Sequence, residues 1–335
     1  MQAVEMGLSV VVVLVLLALA FDFLNGFHDA ANSIATVVST GVLKPRQAVL
    51  WAAFFNVAAI AVFQLKVAAA IGEGTIDPAI VDHHVVFGAL VGAMAWNILT
   101  WYYGIPSSSS HALIGGLVGA AVAKGGMGTL IWSGLGKALM FILIAPVLGF
   151  LLGGFLMVGI SWLCNRMAPR KVDKVFRRLQ LLSAAAYSIG HGGNDAQKTI
   201  GIIWMLLLAA GVTKVDESVP VWVIAACYTS MGLGTMFGGW RIVRTMGQRI
   251  TKLNQAKGFS ANMGGAITLF MSTMLGIPVS TTHTITGAIA GVGSTGGPKN
   301  VRWGVAGGIV WAWILTIPAS ALIAAIAWWI GRLVL

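Results

Sequence analysis

The sequence predicts an all-α polytopic membrane protein, an inverted-topology repeat with broken or re-entrant helices and about 10–12 transmembrane segments. Three observations carry that prediction. The 335 residues are 58% hydrophobic and only 9% charged, too little polar material to clothe a soluble surface. Apolar runs of about 20 residues, long enough to span a hydrocarbon core about 30 Å thick, recur from end to end. Two polar motifs occur twice in the same order, at offsets of 166 and 172 residues.

In chain order the apolar runs fall at 7–43, 47–71, 84–103, 105–123, 138–163, 181–211, 221–240, 259–276, 278–296 and 303–332. The start, MQAVEMGLSVVVVLVLLALA, resembles a signal peptide, yet it carries Glu5 where a basic n-region would be and reads as the retained beginning of the first segment. The first run has 37 residues. As one helix it would reach about 55 Å, so it is expected to break at the polar motif 25–32. The run 181–211 is expected to break near HGGND for the same reason.

Loop charges set the orientation. Residues 166–178 hold six Arg or Lys against one Asp, and 241–257 hold five with no acid, so both belong in the cytoplasm. Loops 72–84 and 212–220 are acidic and fall on the other side, where Lys124 and Lys137 are exceptions. The expected organisation is a first inverted repeat over 1–163, a basic cytoplasmic linker over 164–180 and a second repeat over 181–335. The net charge of +11 is thus a topology signal. The basic residues form no stripe with interleaved aromatics, which argues against a nucleic-acid partner. Cys164 and Cys227 have neither metal-site nor disulfide spacing and read as packing residues.

The repeat is explicit in the residues. NGFHDAANSIA (25–35) lies over HGGNDAQKTIG (191–201), setting Asp29 on Asp195, Asn32 on Lys198 and Ser33 on Thr199. GIPSSSSHALIGGLVG (104–119) lies over GIPVSTTHTITGAIAG (276–291), setting Ser108 on Ser280, Ser109 on Thr281, Ser110 on Thr282 and His111 on His283. An odd number of crossings in each half makes the second copy enter the membrane from the opposite face. That is the plan of many secondary transporters, with the substrate near the midplane. A duplicated scaffold with no transport role would not need carboxylates inside the membrane.

Ionised Asp29 and Asp195 each cost several kcal/mol there unless paired, hydrated or bound to a cation. Asn32, Asn194 and Gln197 add neutral oxygens beside them, as a cation site needs. His28, His111, His191 and His283 titrate near working pH and are candidates for proton relay. PSSSSH and PVSTTH each place a proline near the first turn of a helix with hydroxyls behind it. Ser107, Ser108, Ser109 and Ser110, with Ser280, Thr281 and Thr282, then surround two helix N-termini suited to a tetrahedral oxyanion. Ordinary capping by Ser107 and Ser280 or their neighbours is the competing reading. Asp29, Asp195 and Lys198 sum to minus one, and a doubly charged oxyanion would bring the site to minus three. Such a load calls for accompanying cations or protons, hence symport of an anion with a cation. Lys198 either touches the anion or neutralises a carboxylate.

At these residues the chain closely resembles the inorganic phosphate transporter (PiT) family, in the bacterial low-affinity branch. The family's duplicated signature, GANDVANAFGT, reads GFHDAANSIAT and GGNDAQKTIGI here, and the PVSTTH block is also characteristic. The resemblance implies phosphate as substrate, a transport domain holding the motifs, a scaffold domain, a homodimer and import driven by a cation gradient. It departs from the sodium-coupled members at Lys198, where they carry Asn, and at Asn56 and Asn262, where they carry Glu. The expectation is therefore a proton-coupled importer in a bacterial inner membrane, carrying phosphate or a neutral divalent metal-phosphate complex, with no cofactor and no catalytic residue. The alternatives are a sodium-coupled phosphate symporter, a sulfate permease of the same fold, and an uncoupled channel. Sulfate stays doubly charged and cannot donate a hydrogen bond to ionised carboxylates. An intramembrane hydrolase is disfavoured because its serine and histidine motifs would be duplicated and no nucleophile elbow is present.

Overall fold

The structure, a computed structural model, describes residues 7–214 and 217–334; Glu5 and Asp216 lie outside them. Among the described residues the regular structure is helical: α1 Leu8–Ser39, α2 Pro45–Ala58, α3 Lys66–Gly74, α4 His83–Tyr103, α5 Ser109–Gly125, α6 Trp132–Leu163, α7 Pro169–Ala209, α8 Val221–Phe237, α9 Trp240–Arg244, α10 Gln255–Met274, α11 Thr281–Ser294 and α12 Trp303–Val334. The two halves repeat one order of parts. A long helix (α1, α7) is followed by a bent pair (α2 with α3, α8 with α9), a helical hairpin (α4 with α5, α10 with α11) and a second long helix (α6, α12). The bends are 86° and 63°. Gly104 and Gly276 end the first limbs of the hairpins at φ 67° and 71°, a left-handed turn that a side chain would strain. At the open ends of the hairpins, Ile76 bridges Leu130 and Thr251 bridges Val301.

The breaks are not where the sequence places them. α1 runs unbroken through the motif for 32 residues, and α7 for 41. In hydrocarbon every backbone N–H and C=O needs a partner inside the protein, and a continuous helix supplies one to each. Most of the polar residues in the α1 and α7 motifs find side-chain partners on neighbouring helices, so unwinding would gain little. The surplus length of α7 lies in its largely exposed start, residues 169–180, so most of the basic stretch 164–180 is helix. α1, about 48 Å long by its rise, fits a thinner core by tilting and projecting.

By length and mean hydropathy, α1, α4, α6 and α12 are each able to span a bilayer, and counting each bent pair as one span makes six. α7 is too polar for that test, yet residues 190–203 are all buried. Outward-facing Leu143, Phe155, Trp311 and Leu322 of α6 and α12 present an exposed apolar surface.

The halves exchange helices. α12 packs on α4 and α5, α6 packs on α10 and α11, α1 lies along α8, and α7 along α2 and α3. Small residues make this possible. A Cβ at Gly115 would stand 2.6 Å from the Ile317 carbonyl oxygen, and one at Gly119 would run into that of Ala321. Backbone-to-backbone approach of this kind is how helices associate where lipid removes the hydrophobic drive.

Candidate functional site

On α1 the polar residues Asp22, Asn25, Asp29, Asn32 and Thr36 follow one another at alternating steps of three and four, which puts them on one helix face. All five are buried. The face looks toward His191, Asp195, Lys198 and Thr199 of α7 and toward the tips of the two hairpins.

Those tips are built alike. Ser108 and Ser280 are N-caps whose Oγ atoms accept from the backbone N–H of His111 and His283, each at 3.2 Å. The helix geometry leaves the N–H groups of Ser109, Ser110, Thr281 and Thr282 without an intrahelical partner. The imidazoles of His111 and His283 meet edge to face with centroids 4.4 Å apart, and His283 stacks on Trp313 at 3.6 Å. The hairpins open toward loops assigned by charge to opposite sides of the membrane. Tips that touch must then lie inside it, so both hairpins are re-entrant.

The long helices reach the tips in a crossed pattern. Asn32 Nδ2 donates to the hydroxyls of Thr281 (3.2 Å) and Thr282 (2.9 Å) on the second hairpin. Its repeat mate Lys198 donates to Ser110 Oγ of the first hairpin (2.5 Å), to the Val279 carbonyl (2.8 Å) and to Asp195 Oδ1 (2.5 Å). An ammonium on three oxygens is placed much as a bound monovalent ion would be. Asp195 Oδ2 accepts from Thr281 Oγ1 at 3.0 Å and lies 3.1 Å from His191 Nε2. Ligand atoms of Asp29, His191 and Asp195 lie within 4.8 Å of one another, close enough to share a small cation or a proton.

The histidines differ in surroundings. His28 Nδ1 is 2.6 Å from Asp29 Oδ1, and its Nε2 is 3.1 Å from Thr100 Oγ1, which accepts from Ser107 Oγ at 2.9 Å. A hydrogen-bonded chain thus joins the carboxylate to the first hairpin. His191 Nδ1 lies between Asn56 Oδ1 (3.2 Å) and Ser33 Oγ (3.3 Å). His111 Nδ1 and both nitrogens of His283 are buried without a protein partner, as are Ser109 Oγ and Asn32 Oδ1. Unspent polar capacity gathered round two helix N-termini suits a polar ligand that brings its own donors and acceptors.

Not every residue singled out in the sequence joins this cluster. Asn194 ties down the α10–α11 turn: its Nδ2 donates to Thr273 Oγ1 at 3.1 Å, and its Oδ1 accepts from the Val279 N–H at 3.4 Å. Gln197 accepts from the Val67 N–H (3.0 Å) and donates to the Gln64 carbonyl (2.9 Å), satisfying backbone freed by the α2–α3 bend. Asn56 and Asn262, where the PiT resemblance sets glutamates in sodium-coupled members, are amides held by Thr235 (3.0 Å) and Thr36 (2.8 Å).

The reading of motifs missed three residues around this site. Thr100 links His28 to Ser107, and Tyr187 donates to the Thr281 carbonyl at 2.9 Å. Asp22 accepts from Thr199 Oγ1 at 2.9 Å and is fully buried. Asp22 carried a usable signal, since it begins the three-and-four stripe on α1. Thr100 and Tyr187 stand in apolar runs without any motif around them.

Known proteins resemble the chain over nearly its whole length. Residues 25–324 match the phosphate transporter family. A probable low-affinity inorganic phosphate transporter of Rhizobium meliloti is 58% identical, with 96% of each chain covered, and one of Bacillus subtilis is 44% identical, with 98% of each covered. The solved structure of a sodium-dependent phosphate transporter superposes with a TM-score of 0.87 at 25% identity, covering 98% of this chain and all of that one. Signature residues, paired hairpin tips and full-length similarity converge on one assignment: the chain belongs to the phosphate transporter family.

Proposed function

We propose that this transporter, which is not an enzyme, imports inorganic phosphate across a bacterial inner membrane by symport with protons, the cargo being free phosphate or its neutral divalent-metal complex. Phosphate sits between the two hairpin tips. Ser109, Ser110, Thr281 and Thr282 supply hydroxyls and free N–H groups, while Ser107, Ser108 and Ser280 shape the two N-termini. Two positive helix ends and clustered donors suit a tetrahedral oxyanion. Asp29 and Asp195, with His28, His191 and Asn32, carry the coupling charge; Asn194 supports them through the hairpin it anchors, and His111 and His283 line the meeting of the tips.

The observation that carries proton coupling is the Lys198 ammonium on Asp195 Oδ1, Ser110 Oγ and the Val279 carbonyl. A fixed internal cation there leaves less need, and less room, for sodium. Charge balance points the same way. Asp29 and Asp195 with Lys198 sum to minus one, and a phosphate dianion would make minus three, a load that protons on carboxylates relieve. Sodium coupling is the second reading, favoured by the structural likeness to a transporter titled sodium-dependent. A site whose carboxylates accept hydrogen bonds selects the protonatable phosphate over sulfate. Exchange of helices between repeats suits rigid-body rocking around a fixed site, and the apolar outer faces of α6 and α12 suit a homodimer.

The test is phosphate uptake by purified protein in liposomes under independently imposed pH, sodium and magnesium gradients. Accumulation that follows the pH gradient in sodium-free buffer is expected. Uptake that needs sodium and ignores pH would overturn the reading, and competition by unlabelled sulfate separates the two anions.

A further inference from the structure

Asp22 lies beyond the family motif. It is 0% exposed in an apolar helix, and among the described residues no basic group forms an ion pair with it. Its Oδ1 accepts from Thr199 at 2.9 Å, while Oδ2 has no partner. Asn25, one turn on along α1, turns its amide N–H toward the carboxylate, and its Oδ1 is buried without a partner. From α8, Cys227 and Tyr228 lie within range of its charge, and Tyr228 Oη is likewise unpartnered; from α7 the charged neighbour is Asp195. The surroundings of Asp22 therefore hold several orphaned polar atoms and, among the described residues, no basic side chain paired with it.

A lone carboxylate in such a place is neutral or it holds a cation. A proton on Oδ2 removes the charge and makes the unpartnered oxygen an O–H donor. A metal ion would require stripping its waters for one carboxylate and a few neutral oxygens, with the charge of Asp195 already balanced by Lys198.

Position adds the direction. α1 runs toward the basic cytoplasmic side, and Asp22 precedes Asp29 by two turns, about 10 Å. α7 runs the opposite way, and Thr199 follows Asp195 by about one turn. Both helices thus set the Asp22–Thr199 pair on the outer side of the phosphate site.

We infer that Asp22 is a second proton-carrying group, an outward station that takes a proton from the external face and carries it as one of the coupled protons. This rests on the proton-coupled reading above. The balance is simple: water outside gives a proton to Oδ2, the neutral acid persists while phosphate is bound, and the proton leaves to water when the site opens inward.

The experiment uses the full chain in liposomes and compares Asp22→Asn and Asp22→Glu with the unaltered protein. Two quantities are read: phosphate exchange at equal pH, which needs no net proton movement, and phosphate accumulation under an imposed pH gradient. Asp22→Asn is expected to keep exchange but to lose about tenfold in accumulation ratio per unit of pH gradient, the free energy of one proton. Asp22→Glu should restore accumulation. Equal accumulation by Asp22→Asn and the unaltered chain overturns the inference, as does accumulation that becomes sodium-driven. If the unaltered chain itself ignores the pH gradient, the proton reading fails, whatever Asp22 does. Should Asp22→Asn fail even in exchange, infrared difference spectra of the unaltered and Asp22→Glu proteins decide. A protonated carboxyl C=O band that shifts on Asp22→Glu supports the station, and a band indifferent to the substitution refutes it.

Discussion

Replacing Lys198 by Asn restores the symmetry that the two motifs lack and removes the ammonium from Asp195. The Lys198–Asp195 contact is 2.5 Å between side chains 2% and 0% exposed, so Asp195 would be left as an uncompensated buried charge. Breaking such a pair costs about 3–5 kcal/mol. A cation that binds the folded protein at a hundred times its Kd returns about 2.7 kcal/mol. The new amide could donate or accept, and the Asp195, Ser110 and Val279 oxygens vacated by Nζ would be free to hold sodium. The assay is thermal unfolding of the purified protein in sodium chloride against choline chloride, paired with phosphate uptake in liposomes. Lys198→Asn should unfold at a clearly lower temperature in choline, recover more than half of the loss in sodium, and show sodium-stimulated uptake; the unaltered chain should respond to neither salt. A variant whose stability ignores sodium while its phosphate affinity falls would refute the reasoning and make Lys198 a direct ligand of the anion.

Three further outcomes follow from the same contacts. Ser108→Ala and Ser280→Ala each remove an N-cap bond of 3.2 Å and should cost about 1 kcal/mol of stability while weakening phosphate binding, read by unfolding with and without phosphate. Gly119→Val drives a side chain into the Ala321 backbone and should cost at least about 1–3 kcal/mol, whereas Gly159→Ala, which meets open space, should leave the melting temperature unchanged. At the outer loop, burial would raise the Asp82 carboxyl, but Lys124 at 2.8 Å and the Val85 N–H hold it below its ordinary 3.8. A depressed folded pKa gives stability that is present above the unfolded value and lost as pH falls through the folded one, so Asp82→Asn should flatten the acid limb of a stability-against-pH profile.

That ion pair also accounts for one of the two charges that broke the orientation pattern. Lys124 is basic on an acidic side because its Nζ is bound to Asp82 and to the Ile80 carbonyl at 2.6 Å. Loop counting sees the charge and not its partner.

What the sequence determined by itself was the class, the repeat and the chemistry. Composition and run length demand a bilayer, because so little charge cannot face water. Two motifs repeated in order demand two matched halves, and carboxylates within apolar runs demand a counter-charge. Lys198 was legible as the asymmetric position from the pairing of two strings. What only the tertiary structure decided was where the chain breaks and which half serves which site. Length argued for a broken first helix, but α1 stays whole because most of its polar residues find a side-chain partner on α4, α7, α10 or α11, contacts with no trace in local sequence. Asn32 reaching Thr281 and Thr282, and Lys198 reaching Ser110, join residues 249, 250 and 88 positions apart. The same holds for Asn194 and Gln197, whose amides serve backbone freed at a turn and a bend. Such choices are set by side-chain reach and by the need to satisfy every buried polar group, and those depend on which helices meet.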